Sequence, residues 1–110
     1  NELASYANKI LKSETRINWN ESAELINRKI RAFNPKPGAW FEMVGKRIKV
    51  FDVEISNGQG EPGEILNNKF EVACGKNSLK LKVLQKEGKN KSSIDSFLLG
   101  NKAIVGDNLD

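Results

Sequence analysis

The stretch Arg47-Ile48-Lys49-Val50-Phe51-Asp52-Val53-Glu54-Ile55 decides the fold. Apolar and polar residues alternate along it, at the period of two that a strand with one wet face requires. The alternation also changes phase. Ile48 and Val50 fall on one parity, and Phe51, Val53 and Ile55 on the other. A phase change inside one strand predicts a bulge or a strong bend, the device by which a small sheet curls toward a barrel.

Outward from that stretch the pattern stays β. Gly45-Lys46 reads as a tight turn back to a strand over Ala39 to Val44. Ser56 to Gly63 is a loop. Gly63 to Leu66 and Lys69 to Cys74 form a second hairpin around Asn67-Asn68, with Phe70, Val72 and Cys74 alternating with Glu71 and Ala73. After the turn Gly75-Lys-Asn77, a long strand runs from Ser78 to Glu87. Its Leu79, Leu81 and Val83 share one face, and Lys80, Lys82 and Lys86 the other. About five short strands with tight turns make a small barrel.

Two helices flank these strands. Residues 21–33 carry Ile26, Ile30 and Phe33 as one apolar stripe, with Asn20 as the expected N-cap and Glu21 and Glu24 in the first turn. Asn34-Pro35 ends that helix, because a residue before proline is pushed out of the α region. Ser93 caps a short helix over Ile94 to Leu99, closed by Gly100, and the last residues form a tail. Residues 1–18 hold no sustained apolar period, and the chain opens at Asn1 without an initiator methionine. The expectation is a piece of a longer protein: residues 1–18 are the remnant of an interdomain linker and lead-in, and residues 19–110 are the domain.

Composition narrows the chemistry. The chain has 110 residues, enough for one core, and no run approaches a membrane span. It contains no histidine and one cysteine. The usual base near neutral pH and the commonest metal ligand are therefore missing, and neither a disulfide nor a thiolate zinc site can form. Cys74 alternates with apolar residues and reads as a buried thiol. Asp52 and Glu54 read as an exposed acidic strand face, and Gly58-Gln-Gly60 as an ordinary loop, too short for a phosphate cradle. No catalytic, cofactor-binding or metal-binding residue is expected, and the single thiol suits a reducing, cytoplasmic compartment.

Binding has more support. Net charge is +4, with six basic and four acidic residues in 1–34, four and five in 35–64, and eight and five in 65–110. Such an excess permits a polyanion without demanding one, since lysine-rich surfaces need no partner. Three basic sets stand out: Lys9, Lys12 and Arg16; Lys46, Arg47 and Lys49; and Lys80, Lys82, Lys86, Lys89 and Lys91. Point charges of this kind match a phosphate backbone. Trp19 and Phe51 are expected in the core. Trp40 and Phe41 face opposite sides of a strand, so one of them is the candidate for exposure.

Tyr6-Ala-Asn-Lys9-Ile10, Lys12-x-Glu14-x-Arg16-Ile17-x-Trp19, Arg31-Ala-Phe-Asn-Pro35-x-Pro37-Gly38-Ala39 and Gly45-Lys-Arg-Ile-Lys-Val50 make an ordered set that resembles the C-terminal domain of methionyl-tRNA formyltransferases. Pro62-Gly63-x-Ile65, Val72-Ala-Cys-Gly75, Leu79-x-Leu81-x-x-Leu84-Gln85, Gly88-Lys89 and the Ser93-to-Gly100 helix follow in order. The likeness runs over residues 6–107. Each motif is weak alone, but the ordered set is specific.

The resemblance implies an OB-like small β-barrel of about five strands, with one long N-terminal helix and one short C-terminal helix. It implies a parent enzyme whose separate N-terminal domain binds formyl-tetrahydrofolate. That domain carries the family's catalytic Asn, His and Asp, and transfers formyl to the amino group of methionine on initiator tRNA. The fragment alone is expected to be inactive, monomeric and without a cofactor. Its partners would be initiator methionyl-tRNA and the catalytic domain, and no membrane. Family positions carried onto this sequence put tRNA contacts at Lys9, Lys12, Arg16, Arg31 and Lys89. The basic sets add Lys46, Arg47, Lys49 and Lys91, and Lys36 adds a charge where the family often has tryptophan. Lys89 is followed by Asn90, so the family's frequent lysine pair is split, with Lys91 one position later. Related formyltransferases with other substrates share this scaffold, which keeps a purely scaffolding role open. A free-standing barrel for other nucleic acids is the third reading.

Overall fold

The computed structural model describes residues 15–34 and 36–109. Its elements are α1 (Ala23–Phe33), β1 (Ala39–Met43), β2 (Lys46–Ser56), β3 (Glu71–Ala73), β4 (Ser78–Lys86), β5 (Lys91–Ser93) and α2 (Ile94–Gly100). The strands form one curled antiparallel sheet, a half-barrel of OB-like form, in the order β1-β2-β4-β3. β5 pairs Leu84 and its neighbours on the edge of β4 not taken by β2, so β3 and β5 share that edge end to end.

The phase change in β2 is a bulge. Val50 pairs Leu84 and Asp52 pairs Val83, leaving Phe51 as the extra residue. Two residues then oppose one, which bends the strand and adds twist. Val53 returns to pack against the core, whereas Phe51 is buried outside the core cluster, beneath the Lys91 ammonium 4.2 Å from its ring centre. Phe51 and Val53 were expected on one face, with Phe51 in the core; the bulge parts them, so that Val53 packs on the core cluster and Phe51, though buried, lies outside it.

A second irregularity follows at once. Asp52 pairs Val83 and Val53 pairs Leu81, so Lys82 is extra on β4. The inward set on β4 is therefore Leu79, Leu81 and Leu84, with Val83 only half-buried. This corrects the simple alternation, and it moves Lys86 to the parity of Leu84. Lys86 is half-buried there, and its Nζ donates to Asn101 Oδ1 at 3.0 Å.

The core joins helix and sheet. Ala23, Ile26 and Ile30 of α1 meet Trp19, Phe41, Ile48, Val50, Phe70, Leu79, Leu81, Leu84 and Phe97. Trp19, Phe41 and Phe70 stack edge to face, with successive centroids 5.9 and 6.0 Å apart. Helix α1 starts two residues later than expected. Ser22, not Asn20, is the N-cap, and its Oγ accepts from Leu25 N at 3.1 Å. Asn20 instead donates to Asn18 Oδ1 from both its backbone and its side chain. The helix docks through Gly75, whose N–H donates to Glu21 O at 2.9 Å. A Cβ at Gly75 would lie 1.9 Å from Asn20 O, so only glycine permits the approach.

Four further expectations change. Glu71 and Ala73 are buried along with Phe70, Val72 and Cys74. Glu71 is held by Ser78 Oγ and by Asn67 Nδ2, and this satisfies its buried carboxylate. The segment 63–66 pairs with 71–73 but contributes only isolated bridges, and the fifth strand is β5, which no apolar period announced. The C-terminal residues are not loose. Ile65 N donates to Asp107 O and Leu109 N to Gly63 O, both at 2.8 Å, and Ala103 and Leu109 are buried. Gly100 is the last residue of α2, which Asn101 caps through its backbone and side chain to Phe97 O.

Candidate nucleic-acid interface

The β1–β2 turn folds the second basic set back over β1. Cross-strand pairing sets Trp40 opposite Lys49 and Glu42 opposite Arg47, and Lys49 in turn pairs Gln85 of β4. These residues alternate with the inward Phe41, Ile48, Val50 and Leu84, so they lie on the outer face of the sheet. Residues 15–17 run beside β1, with Ile17 N donating to Trp40 O at 2.8 Å, and they bring Arg16 to the same face.

Trp40 is the centre of this face. Arg47 Cζ lies 4.2 Å and Arg16 Cζ 5.4 Å from its ring centre, both within cation–π range. Its Nε1 donates to Thr15 Oγ1 at 2.9 Å, which fixes the ring. Arg16 also meets Glu42 at 3.8 Å. Next to Arg47 a cleft of about 240 Å³ is lined by Lys49, Gln85, Lys86, Glu87 and Gly88. The Glu87 carboxylate accepts from Arg47 N at 3.1 Å. The side chain of Lys49 lies over Gly38, where an added Cβ would stand 3.1 Å from Lys49 Cδ.

The face continues across the β4–β5 hairpin. Gln85 Nε2 donates to Lys89 O at 2.8 Å, and Gln85 pairs Lys91. Lys89 and Lys91 are exposed, and Lys91 covers Phe51. Arg31, exposed at the end of α1, lines a shallow hollow with Asn34, Phe51, Asp52 and Val83. Lys36 is exposed in the turn before β1, and Lys46 is exposed as the first residue of β2. Lys9 and Lys12 lie outside the described residues.

The structure thus joins the second basic set to Arg16 and splits the third. Lys82 pairs with Glu54 at 3.2 Å, and Lys80 borders a separate hollow with Lys69, Glu71 and Asp95. Sequence reasoning overlooked Trp40 as a ring that carries arginines, and the share of Gln85 and Lys86 in the cleft. Reflection of the chain about the Gly45 turn, which sets residue 40 opposite 49, was the available signal.

Catalytic groups are scarce. Burial, and then the nearby Glu24 carboxylate, push the Cys74 thiol up to about 12. It stays protonated near neutral pH and is no nucleophile. Among the described residues no cluster of His, Cys, Asp or Glu could hold a metal ion, and no helix is long and apolar enough to cross a membrane.

The family model described as "Formyl transferase, C-terminal domain" matches residues 9–102. The chain belongs to this family. A relative of this formyl transferase C-terminal domain, the methionyl-tRNA formyltransferase of Neisseria meningitidis serogroup C, is 46% identical over 108 residues, covering 96% of this chain and 35% of that protein. The methionyl-tRNA formyltransferase of Rickettsia bellii is 44% identical over 107 residues, covering 96% of this chain and 35% of that protein. The chain therefore spans 35% of the length of these curated relatives. Among solved structures, HypX from Aquifex aeolicus in complex with tetrahydrofolic acid matches at TM-score 0.67 and 21% identity, over 82% of this chain and 17% of that one. That likeness speaks for the fold of the formyl transferase C-terminal domain, and the folate belongs to the other protein.

Proposed function

We propose that this formyl transferase C-terminal domain is the tRNA-holding part of a cytoplasmic methionyl-tRNA formyltransferase. The parent enzyme moves formyl from formyl-tetrahydrofolate to the amino group of methionine on initiator tRNA. The chemistry belongs to a separate catalytic domain. This chain has no histidine and a thiol pushed far above neutral pH, so by itself it is inactive and needs no cofactor. It is a monomer whose partners are the tRNA backbone and that catalytic domain.

The observation that carries the reading is the cationic outer face built around Trp40. Arg16, Arg47 and Lys49 converge there, Lys89 and Lys91 extend it across the β4–β5 hairpin, and Arg31 flanks the Phe51 hollow. Lys36 borders it from the turn before β1 and Lys46 from the start of β2, and Lys9 and Lys12 of the preceding sequence complete the set. Guanidinium and ammonium groups suit phosphate oxygens, and relatives named for methionyl-tRNA at 44–46% identity support tRNA as the acceptor.

The test is binding of tRNA by this chain across a salt series. A multi-contact phosphate interface loses affinity steeply and linearly in log–log form as salt rises. Flat affinity, or none at low salt, sinks the reading. The rival role is a brace for the catalytic domain of a formyltransferase that acts on another acceptor. It requires that full-length enzyme with Lys9, Lys12, Lys89 and Lys91 changed to Glu keep its activity.

A further inference from the structure

Trp40 differs from an ordinary stacking platform because its ring already carries cations. A base that stacks on an aromatic ring needs a free face. Here Arg47 lies 4.2 Å and Arg16 5.4 Å from the ring centre, and the indole N–H is committed to Thr15 Oγ1. The two arginines come from different segments, one beside β1 and one near the start of β2, and the Trp40 ring meets both.

A guanidinium resting on a ring still directs its N–H donors outward, and its planar fork suits phosphate oxygens. Holding the fork in advance removes part of the ordering cost of binding. Lys49 lines the cleft beside Arg47, giving two cations against one carboxylate, Glu87, which already accepts from a backbone N–H, while Lys86 borders it with its ammonium on Asn101 Oδ1. Glu42 is the other acid nearby, opposite Arg47 and paired with Arg16 at 3.8 Å. A phosphate arriving at Arg16 competes with an exposed ion pair of small worth.

We propose that Trp40 is a positioning residue that holds Arg16 and Arg47 as paired phosphate hooks, so that this face grips consecutive backbone phosphates of RNA and stacks no base. This rests on the tRNA reading above and specifies how the face works. The grip is independent of sequence, and the ring acts only through the arginines.

The experiment measures tRNA binding by this chain across a salt series for four variants: Trp40→Leu, Trp40→Phe, Arg16→Ala with Arg47→Ala, and the triple substitution with Trp40→Leu. Trp40→Leu should make the log–log salt slope shallower by about one to two, as the arginine pair does, and the triple variant should lose little more. Trp40→Phe, which keeps a π face, should retain most of the slope. An affinity loss in Trp40→Leu with an unchanged slope overturns the proposal, as do losses that add in the triple variant. Strong quenching of Trp40 emission by single-stranded poly(U) also overturns it, since that signals a stacked base. Trp40→Gln replaces Trp40→Leu if circular dichroism shows that the leucine variant does not fold.

Inorganic pyrophosphate separates this proposal from its premise. It should shift the Arg16 and Arg47 side-chain N–H resonances in the unsubstituted chain and much less in the Trp40→Leu variant. Equal shifts in both overturn the hooks. A response to pyrophosphate without tRNA binding refutes the tRNA reading and leaves the hooks standing, whereas no response to either sinks both.

Discussion

Phe41 and Trp40 are adjacent in β1, and the sheet sorts them into different worlds. Phe41 is 1% exposed, wedged edge-on between Trp19 and Phe70. Trp40 is half-buried on the other face, under two guanidiniums, with its N–H on a hydroxyl. One aromatic stabilises the fold by excluding water, and the other arranges charge at a surface. Adjacent residues of similar chemistry can thus take unrelated tasks, because strand side chains alternate between faces.

The largest effect that tests this contrast is on stability. Phe41→Ala should cost about 3–5 kcal/mol, the usual range for a buried aromatic replaced by alanine in a packed core. Trp40→Ala should cost only about 1–2 kcal/mol, from lost cation–π contacts and one hydrogen bond. Urea unfolding of both variants reads the difference. Equal losses would show that the outer ring is as structural as the inner one and break the comparison.

The second effect separates two basic regions. Arg47→Glu with Lys49→Glu should weaken tRNA binding about a hundredfold at low salt and flatten its salt slope by about two, with little change in stability. Lys80→Glu with Lys82→Glu should change binding far less, since Lys82 already answers Glu54 and Lys80 borders a hollow that also contains Glu71 and Asp95. A filter-binding series on both pairs measures this. Equal losses would mean that the interface extends over the whole sheet.

Much of the architecture was legible because burial leaves a period. The phase change at Val50-Phe51 announced the bulge, and Ile26, Ile30 and Phe33 announced the helix stripe. The parts that stayed hidden have no period to read. Val83 and Leu84 are both apolar, so β4 could change phase at Lys82 without a visible break. Lys91-Ser-Ser93 holds no apolar residue, and pairing alone makes it a strand. Ser22 and Asn20 are both good caps by type, and geometry chose Ser22. The cations of the candidate site were visible as charges. Their partition into a convergent face and a paired remainder was not, because it depends on the register across the Gly45 turn and on two bulges.

The smallest expected effect concerns the bulge itself, where the two faces trade residues. The extra residue Phe51 falls outside the regular β2–β4 register. Asn34, the C-cap of α1, donates its Nδ2 to Phe51 O at 3.1 Å and so gives that carbonyl a partner. A bulged residue left unsatisfied would favour regular pairing, and that would slide Val53 away from the core and Phe51 toward it. Asn34→Ala removes the donor and should cost about 1 kcal/mol, the typical worth of one such bond at a partly exposed site. Asn34→Asp cannot donate and should behave like alanine, while Asn34→Gln reaches too far to restore the bond fully. Hydrogen exchange at residues 50–53 should rise in the alanine variant, while exchange at Phe41 and Ile48 stays slow. If exchange rises throughout β1 and β2, Asn34 supports the whole sheet; if it rises nowhere, the strand's own packing fixes the bulge.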